Sequence, residues 1–239
     1  MKSRILETFY TQKNIDLAVK DFSKSLKKGD IIIDLGAGSQ RFREEFKQQE
    51  YKSQDYYSDI LITGRNGIQK QSFISKTGYD VEQYKYAQAD YNCDIVNIPV
   101  ANNVFDAAIC TEVFEHIKYP TQALKEIYRI LKPGARVLIT MPISCIRHMD
   151  PVFYNYGLSD NWFAQVGQEI GFSEVQVRQR GNYKSFMAYE LVRSIRAFGV
   201  LSIPFLMPAF IFYFFSKWNR DAKDTMGQHY YITLTKGDK

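Results

Sequence analysis

The run Asp34-Leu35-Gly36-Ala37-Gly38-Ser39 carries the sharpest chemical pattern in the chain. Glycines alternating with small residues let the main chain turn tightly and let a ligand come within contact distance of the backbone. A dinucleotide fingerprint would place a third glycine at position 41, where this chain has Arg41, and no Walker lysine follows. A tight turn that holds nothing is the plain alternative. Asp59 lies 23 residues beyond Gly36, near the spacing at which an acid accepts both hydroxyls of a ribose, and Asp55 is its rival in the same stretch. Asp94, in DYNCDIVNIP, can accept from an adenine amino group or simply cap its own loop. Three acids, Asp34, Asp59 and Asp94, each placed after a plausible strand, point to one nucleoside lying across a sheet edge.

Such a site needs strands that end together. IIIDL (31–35) is a short apolar run rich in β-branched residues, as expected of a strand covered on both faces. YYSDI (56–60), YKYAQAD (84–90), FDAAICT (105–111), RVLITM (136–141), SEVQVRQ (173–179) and HYYITLT (229–235) read as the further strands. Helices are expected over 14–28, with Ile15, Ala18, Val19, Phe22 and Leu26 on one face and Asn14 as cap, and over RFREEFKQQ with Phe42 and Phe46 inward. Two more are expected: one over 121–131, stopped by Lys132-Pro133-Gly134, and one from a Ser159 cap to Gly171. Strand–helix alternation of this kind predicts a doubly wound α/β sheet.

With these elements in place, the sequence resembles the class I S-adenosylmethionine-dependent methyltransferases, in particular their small-molecule branch. The resemblance rests on IIIDLGAGS (31–39), YYSDI (56–60), DIVNIPVANNVFDAAICTEVFEHI (94–117) and LKEIYRILKPGARVLITMP (124–142). It implies a Rossmann-like, mostly parallel seven-stranded sheet with an antiparallel last strand. It further implies that Asp34, Gly36, Ala37 and Gly38 border the methionine part of S-adenosylmethionine. Asp59 would hold the ribose, with Ile60 beside the adenine. Asp94 would meet the adenine amino group, with Ile95 on the ring face, and Cys110 and Glu112 would line the fourth strand end near the sulfonium. Gln40 stands where the family often has a further glycine. No Asn/Asp-Pro-Pro-aromatic sequence occupies Cys110–Val113, which argues against methylation of nucleobase amino nitrogens.

Methyl transfer from a sulfonium needs alignment above all, and a base only where the acceptor must lose a proton. The acceptor end falls after the fourth and fifth strands, in CIRHMDPVFYNYG (145–157). His148 is the expected general base or acceptor-orienting group because an imidazole exchanges protons near neutrality; the alternative is a histidine bonded only to loop backbone. His116 is expected to be structural, and Tyr154 and Tyr156 to be pocket wall. Oxygen is the expected acceptor atom, with carbon left open.

The chain has 239 residues, 45% of them hydrophobic, which suits one methyltransferase domain: a helical segment (1–29), a cofactor-binding core (30–180), an apolar and basic insertion (181–228) and a final strand (229–239). From Gln176 onward there are ten Lys+Arg against four Asp+Glu, while residues 1–175 are nearly balanced. The insertion holds 20 uncharged residues (197–216) between Arg193 and Arg196 on one side and Lys217, Arg220 and Lys223 on the other. A bent helical pair dipping into an anionic membrane surface through 193–223 is one reading. A lid or a dimer contact is the other, and Pro204 and Pro208 speak against a straight span. The partners expected are a small or amphiphilic acceptor and that membrane surface, with no nucleic acid. Three cysteines without Cys-x-x-Cys spacing predict neither disulfides nor a metal site, and with no signal-like N-terminal run they predict a cytoplasmic, peripherally membrane-associated protein. The alternative in another class is a catalytically silent adaptor that keeps the fold and docks through the insertion.

Overall fold

A computed structural model of the chain describes residues 3–56, 87–145, 152–183 and 227–238, together with helical positions 186, 187, 190, 204, 207, 208, 211, 214 and 215. Seven strands form one sheet: β1 (Ile31–Leu35), β2 (Glu50–Asp55), β3 (Tyr91–Asn92), β4 (Phe105–Thr111), β5 (Leu131–Pro142), β6 (Phe172–Arg180) and β7 (His229–Lys236). Among the described residues three continuous α-helices accompany them, α1 (Ser3–Lys24), α2 (Pro120–Ile130) and α3 (Asp160–Ile170). The spatial order is β3-β2-β1-β4-β5-β7-β6. Pairs from β3 across to β5 are parallel, and β7 runs antiparallel to both β5 and β6. This is the mostly parallel α/β sheet that the sequence predicts.

Alternation along the strands decides the layers, because successive side chains point to opposite faces. Ile33, Leu35, Ala108, Val137 and Ile139 pack with Leu124 and Ile127 of α2 and Phe163 of α3. Ile32, Ala107, Ile109 and Leu138 face the other way, against Ile15, Val19 and Phe22 of α1 and against Phe42 and Phe46. Both faces are covered, which is why β1 and β4 read as continuous apolar runs.

Several boundaries differ from expectation. The second strand is Glu50–Asp55 rather than 56–60, with Ile31 opposite Glu50 and Leu35 opposite Gln54. It buries Ser53 and Gln54, polar residues that hide it from a search for apolar runs. The third strand has two residues, Tyr91 and Asn92, rather than spanning 84–90, and 87–90 lie outside any strand. α1 starts at Ser3, so Asn14 is inside the helix, where its Oδ1 accepts from Arg180 Nη2 at 3.1 Å. The stretch after the glycine turn makes only a short 3-10 turn, Arg43–Phe46, although Phe42 and Phe46 are buried as expected. β5 begins at Leu131, directly where α2 ends, so Lys132-Pro133-Gly134 stops the helix from inside the strand.

The expected ends of α3 are present. Ser159 Oγ accepts from the Trp162 N–H at 3.1 Å, and Gly171, at φ +114°, donates to Gln168 and Gly167 carbonyls. Lys236, buried in β7, donates to Asn103 Oδ1 and to the Tyr128 and Leu131 carbonyls at 2.7–2.8 Å, tying the last strand to the carboxyl end of α2. Among the described residues no helix is long and apolar enough to cross a membrane.

Candidate active site

The glycine turn sits at the carboxyl end of β1, the edge at which open α/β sheets bind ligands. Gly36 has φ +68°, and a Cβ there would lie 2.5 Å from Val113 Cγ2, so the backbone passes beneath the end of β4 where no side chain fits. The turn is pinned to β2. Gly36 N–H donates to Gln54 Oε1 (3.2 Å), Ala37 N–H to the Gln54 carbonyl (3.0 Å) and Gly38 N–H to Asp55 Oδ2 (2.6 Å). Gln54 Nε2 in turn donates to the Cys93 carbonyl at 2.6 Å, and Cys93 N–H donates to the Asp55 carbonyl at 3.1 Å. One buried glutamine therefore joins the turn, β2 and the exit of β3. Because the three N–H groups are spent inward, the turn does not form the cradle of free donors that a phosphate requires. It offers close approach and a carboxylate, which suits a nucleoside without phosphate.

Asp34 is buried behind this turn and accepts from the Tyr51 hydroxyl at 2.5 Å. Burial pushes its carboxyl up to about 7, against the opposing pull of the Tyr51 hydrogen bond. Burial and Asp34 together push the Tyr51 phenol up as well, and the Arg43 guanidinium lies 4.6 Å from the centre of that ring. The carboxylate at the end of β2 is Asp55. It accepts from Gly38 N–H and Tyr56 N–H; burial raises its pKa, and both backbone donors oppose that rise. Asp94 is exposed, accepts from Val96 N–H at 3.1 Å in a local turn, and is followed by buried Ile95.

The structure thus gathers Gly36, Ala37, Gly38, Asp55, Asp94 and Ile95 at the ends of β1, β2 and β3. Asp59, Ile60 and His148 lie outside the described residues. Cys110 does not reach the open edge as expected: it is fully buried in the main core, and burial raises its thiol pKa well above the ordinary value.

Glu112 does stand at the end of β4, with a left-handed backbone (φ +56°) that costs a residue with a side chain strain and often marks functional sites. Its Oε1 accepts from Thr140 Oγ1 on β5 at 2.9 Å, and its Oε2 lies 3.0 Å from His229 Nε2 at the start of β7. Burial would raise this carboxyl, but His229 and Thr140 outweigh it and hold the pKa below the usual carboxylate value. Glu115 is buried with Oε2 unpartnered, and burial together with neighbouring Glu112 pushes its pKa well above the ordinary carboxylate value. His116 Nδ1 is 2.8 Å from the Val152 carbonyl, a structural placement. Tyr154 and Tyr156 are exposed. Among the described residues no group of three or more His, Cys, Asp or Glu is arranged to hold a metal ion.

His229, Thr140, Gln54 and Tyr51 are missed by a reading of the sequence. His229 carries one local signal, its position as first residue of a strand, but its partner Glu112 is 117 residues away.

A family model described as "Methyltransferase domain" matches residues 8–195. The chain belongs to that methyltransferase family. The resemblance drawn from its motifs is thereby shown, in fold and in cofactor class. Among curated relatives, the ubiquinone/menaquinone biosynthesis C-methyltransferase UbiE of Haemophilus ducreyi is 27% identical over 152 residues, 59% of this chain and 52% of the relative. The chain spans about half the length of the curated relatives it matches. Haemonchus contortus phosphoethanolamine N-methyltransferase 2, solved with S-adenosyl-L-methionine, superposes with a TM-score of 0.55 at 20% identity, over 94% of this chain and 52% of that one. A SAM-dependent methyltransferase from Archaeoglobus fulgidus gives 0.55 at 14% identity, over 97% and 98%. At these identities the structural likeness of the methyltransferase to its neighbours is one of fold.

Proposed function

We propose that this methyltransferase transfers the methyl group of S-adenosylmethionine to a small, amphiphilic acceptor at oxygen, with residues 181–228 serving acceptor access at an anionic membrane surface. One observation carries the cofactor assignment: the glycine turn spends its N–H groups on Gln54 and Asp55, so the cleft takes a nucleoside and not a phosphate chain. The residues present fit the cofactor. Asp55 takes the ribose hydroxyls at the position that spacing gave to Asp59, and Asp94 takes the adenine amino group with Ile95 beneath the ring. The turn after Asp34 borders the methionine end. Bound there, S-adenosylmethionine supplies a methyl group already activated on a sulfonium.

The protein's own part is to align the acceptor and receive its proton. Two imidazoles serve that purpose. His148 follows β5 in the sequence, and His229 is held through Nε2 by Glu112 at the β4 edge. Acceptor oxygen requires such a base as its proton leaves. Transfer to carbon is the second reading, favoured by relatives named as C-methyltransferases.

Isotope-labelled S-adenosylmethionine incubated with the protein and lipid-phase and aqueous fractions of a cell extract tests the proposal. Label entering a lipid-phase product is expected, and the chemical shift of the transferred methyl separates oxygen from carbon. Folded protein that shows neither label transfer nor heat of cofactor binding would return the silent-adaptor reading.

A further inference from the structure

Gln40 follows the glycine turn at φ +55°, a left-handed backbone that favours glycine and strains a residue with a side chain. Strain of this kind persists only where surrounding contacts over-determine it, and here the contacts belong to the side chain. The Gln40 amide has two N–H groups and two acceptor positions, and all four are used. Nε2 donates to the Gln88 carbonyl at 2.7 Å and to Ser53 Oγ at 3.1 Å. Oε1 accepts from Arg43 Nη2 at 2.7 Å and from Arg43 Nε at 3.0 Å.

Each partner ties in a further element. Ser53 is fully buried in β2, and its hydroxyl donates to Asp90 Oδ2 at 2.7 Å while accepting from Asp90 N–H at 3.1 Å. Ser53 N–H donates to the same carboxylate oxygen at 2.8 Å. The Arg43 guanidinium reaches Asp90 at 4.0 Å and lies over the ring of Tyr51, whose hydroxyl donates to Asp34. Ala87 N–H donates to the Gly38 carbonyl at 3.0 Å, and Gly38 N–H is the group held by Asp55. Residues 87–90 are thereby clasped onto the glycine turn and β2. Gly38 is fixed twice, through its N–H by the end of β2 and through its carbonyl by the segment that leads into β3. A glycine at position 40 would relieve the backbone and leave Gln88 without its side-chain anchor.

We propose that Gln40 is a positioning residue for the cofactor: it clasps residues 87–90 to the glycine turn, so that the carboxyl ends of β1, β2 and β3 meet the nucleoside already arranged. This role rests on the proposed binding of S-adenosylmethionine at those strand ends. Gln40 acts through its neighbours, and a cleft ordered in advance loses less freedom on binding, which raises affinity.

Two variants of the full chain test it. Gln40→Gly removes the clasp and the left-handed strain together, so its Tm should stay close to that of wild type. Its dissociation constant for S-adenosylmethionine in calorimetry is expected to rise roughly five- to tenfold, and amide hydrogen exchange at Ala87 to quicken by a similar factor. Gln40→Glu keeps the acceptor for Arg43 but at neutral pH cannot donate to Gln88 or Ser53, and the same weakening and faster exchange are expected. Wild-type affinity in either variant, or unaltered exchange at Ala87, overturns the inference. So does an affinity loss accompanied by a matching fall in Tm and faster exchange throughout the sheet, because Gln40 then serves stability in general. Failure of the cofactor reading looks different: wild type itself gives no heat with S-adenosylmethionine, and the positioning role falls with it. Heat from wild type that neither variant diminishes strikes the clasp alone.

Discussion

At the scale of single residues, the site is organised by carboxyl groups in different environments. Asp55 ends β2 beside the glycine turn, so Asp55→Ala is expected to weaken S-adenosylmethionine binding by roughly 1–3 kcal/mol in calorimetry, the cost of removing a charged hydrogen-bond acceptor. Asp59→Ala under the same conditions is expected to change it little; the reverse ranking would return the ribose to Asp59. Asp34 poses a different question because its carboxyl is raised to about 7 by burial. With its folded pKa above its unfolded one, the native state holds the extra proton between about pH 4 and pH 7, so Asp34's contribution to stability is full below that window and falls as pH rises through it. Asp34→Asn removes the ionisation. Its stability relative to wild type should improve steadily as thermal denaturation is repeated from acid to mildly alkaline pH, by an amount on the order of a few kcal/mol. A pH-independent difference would mean that Asp34 titrates normally.

At the scale of elements, the turn and the end of β4 depend on each other through Gly36 and Val113. Gly36→Ala adds a Cβ at 2.5 Å from Val113 Cγ2 and at φ +68°, so a loss of about 2–4 kcal/mol is expected in chemical denaturation. Val113→Ala in the same molecule should restore the steric share and leave the backbone share, a coupling that a double-mutant cycle measures. Additive losses would show that the two elements do not press on one another. The same elements show what a sequence reveals. β4, α2, α3, β6 and β7 were legible because their apolar periodicity and caps are local: Ala123, Leu124, Ile127 and Ile130 mark α2, and Ser159 with Gly171 mark α3. β2 was not, because its inward residues include Ser53 and Gln54, which are buried for the hydrogen bonds they make and not for apolar area. Misplacing β2 is why the sequence points to Asp59, whereas the proposed ribose acid is Asp55 at the end of the observed strand. The glycine turn was legible in place and type, yet the inward direction of its N–H groups depends on Gln54, a contact set by strand register. The Glu112–His229 pair was hidden for the same reason, since it forms only when β7 enters the sheet beside β5.

At the scale of the whole molecule, ligand binding and stability are linked. S-adenosylmethionine at about a hundredfold excess over its dissociation constant should add about 2.7 kcal/mol, read as a rise in Tm of roughly 5–10 °C for a chain of this size. The Asp55→Ala variant should show a smaller rise at the same concentration, whereas an equal rise would place the ligand elsewhere.

The closure at the base of the 181–228 insertion carries a further consequence. Arg180 and Gln228 are already joined by a backbone hydrogen bond, and a Cβ on Gly227 would meet the Arg180 carbonyl at 2.6 Å, so the two stems close against each other. Closed stems of this kind predict that the intervening stretch can be exchanged without loss of the sheet. Replacing 186–224 with a short flexible linker costs the sheet little closure entropy. The trimmed protein should still bind its nucleoside in calorimetry, and under the proposed role of the insertion it should lose the choice of what it methylates.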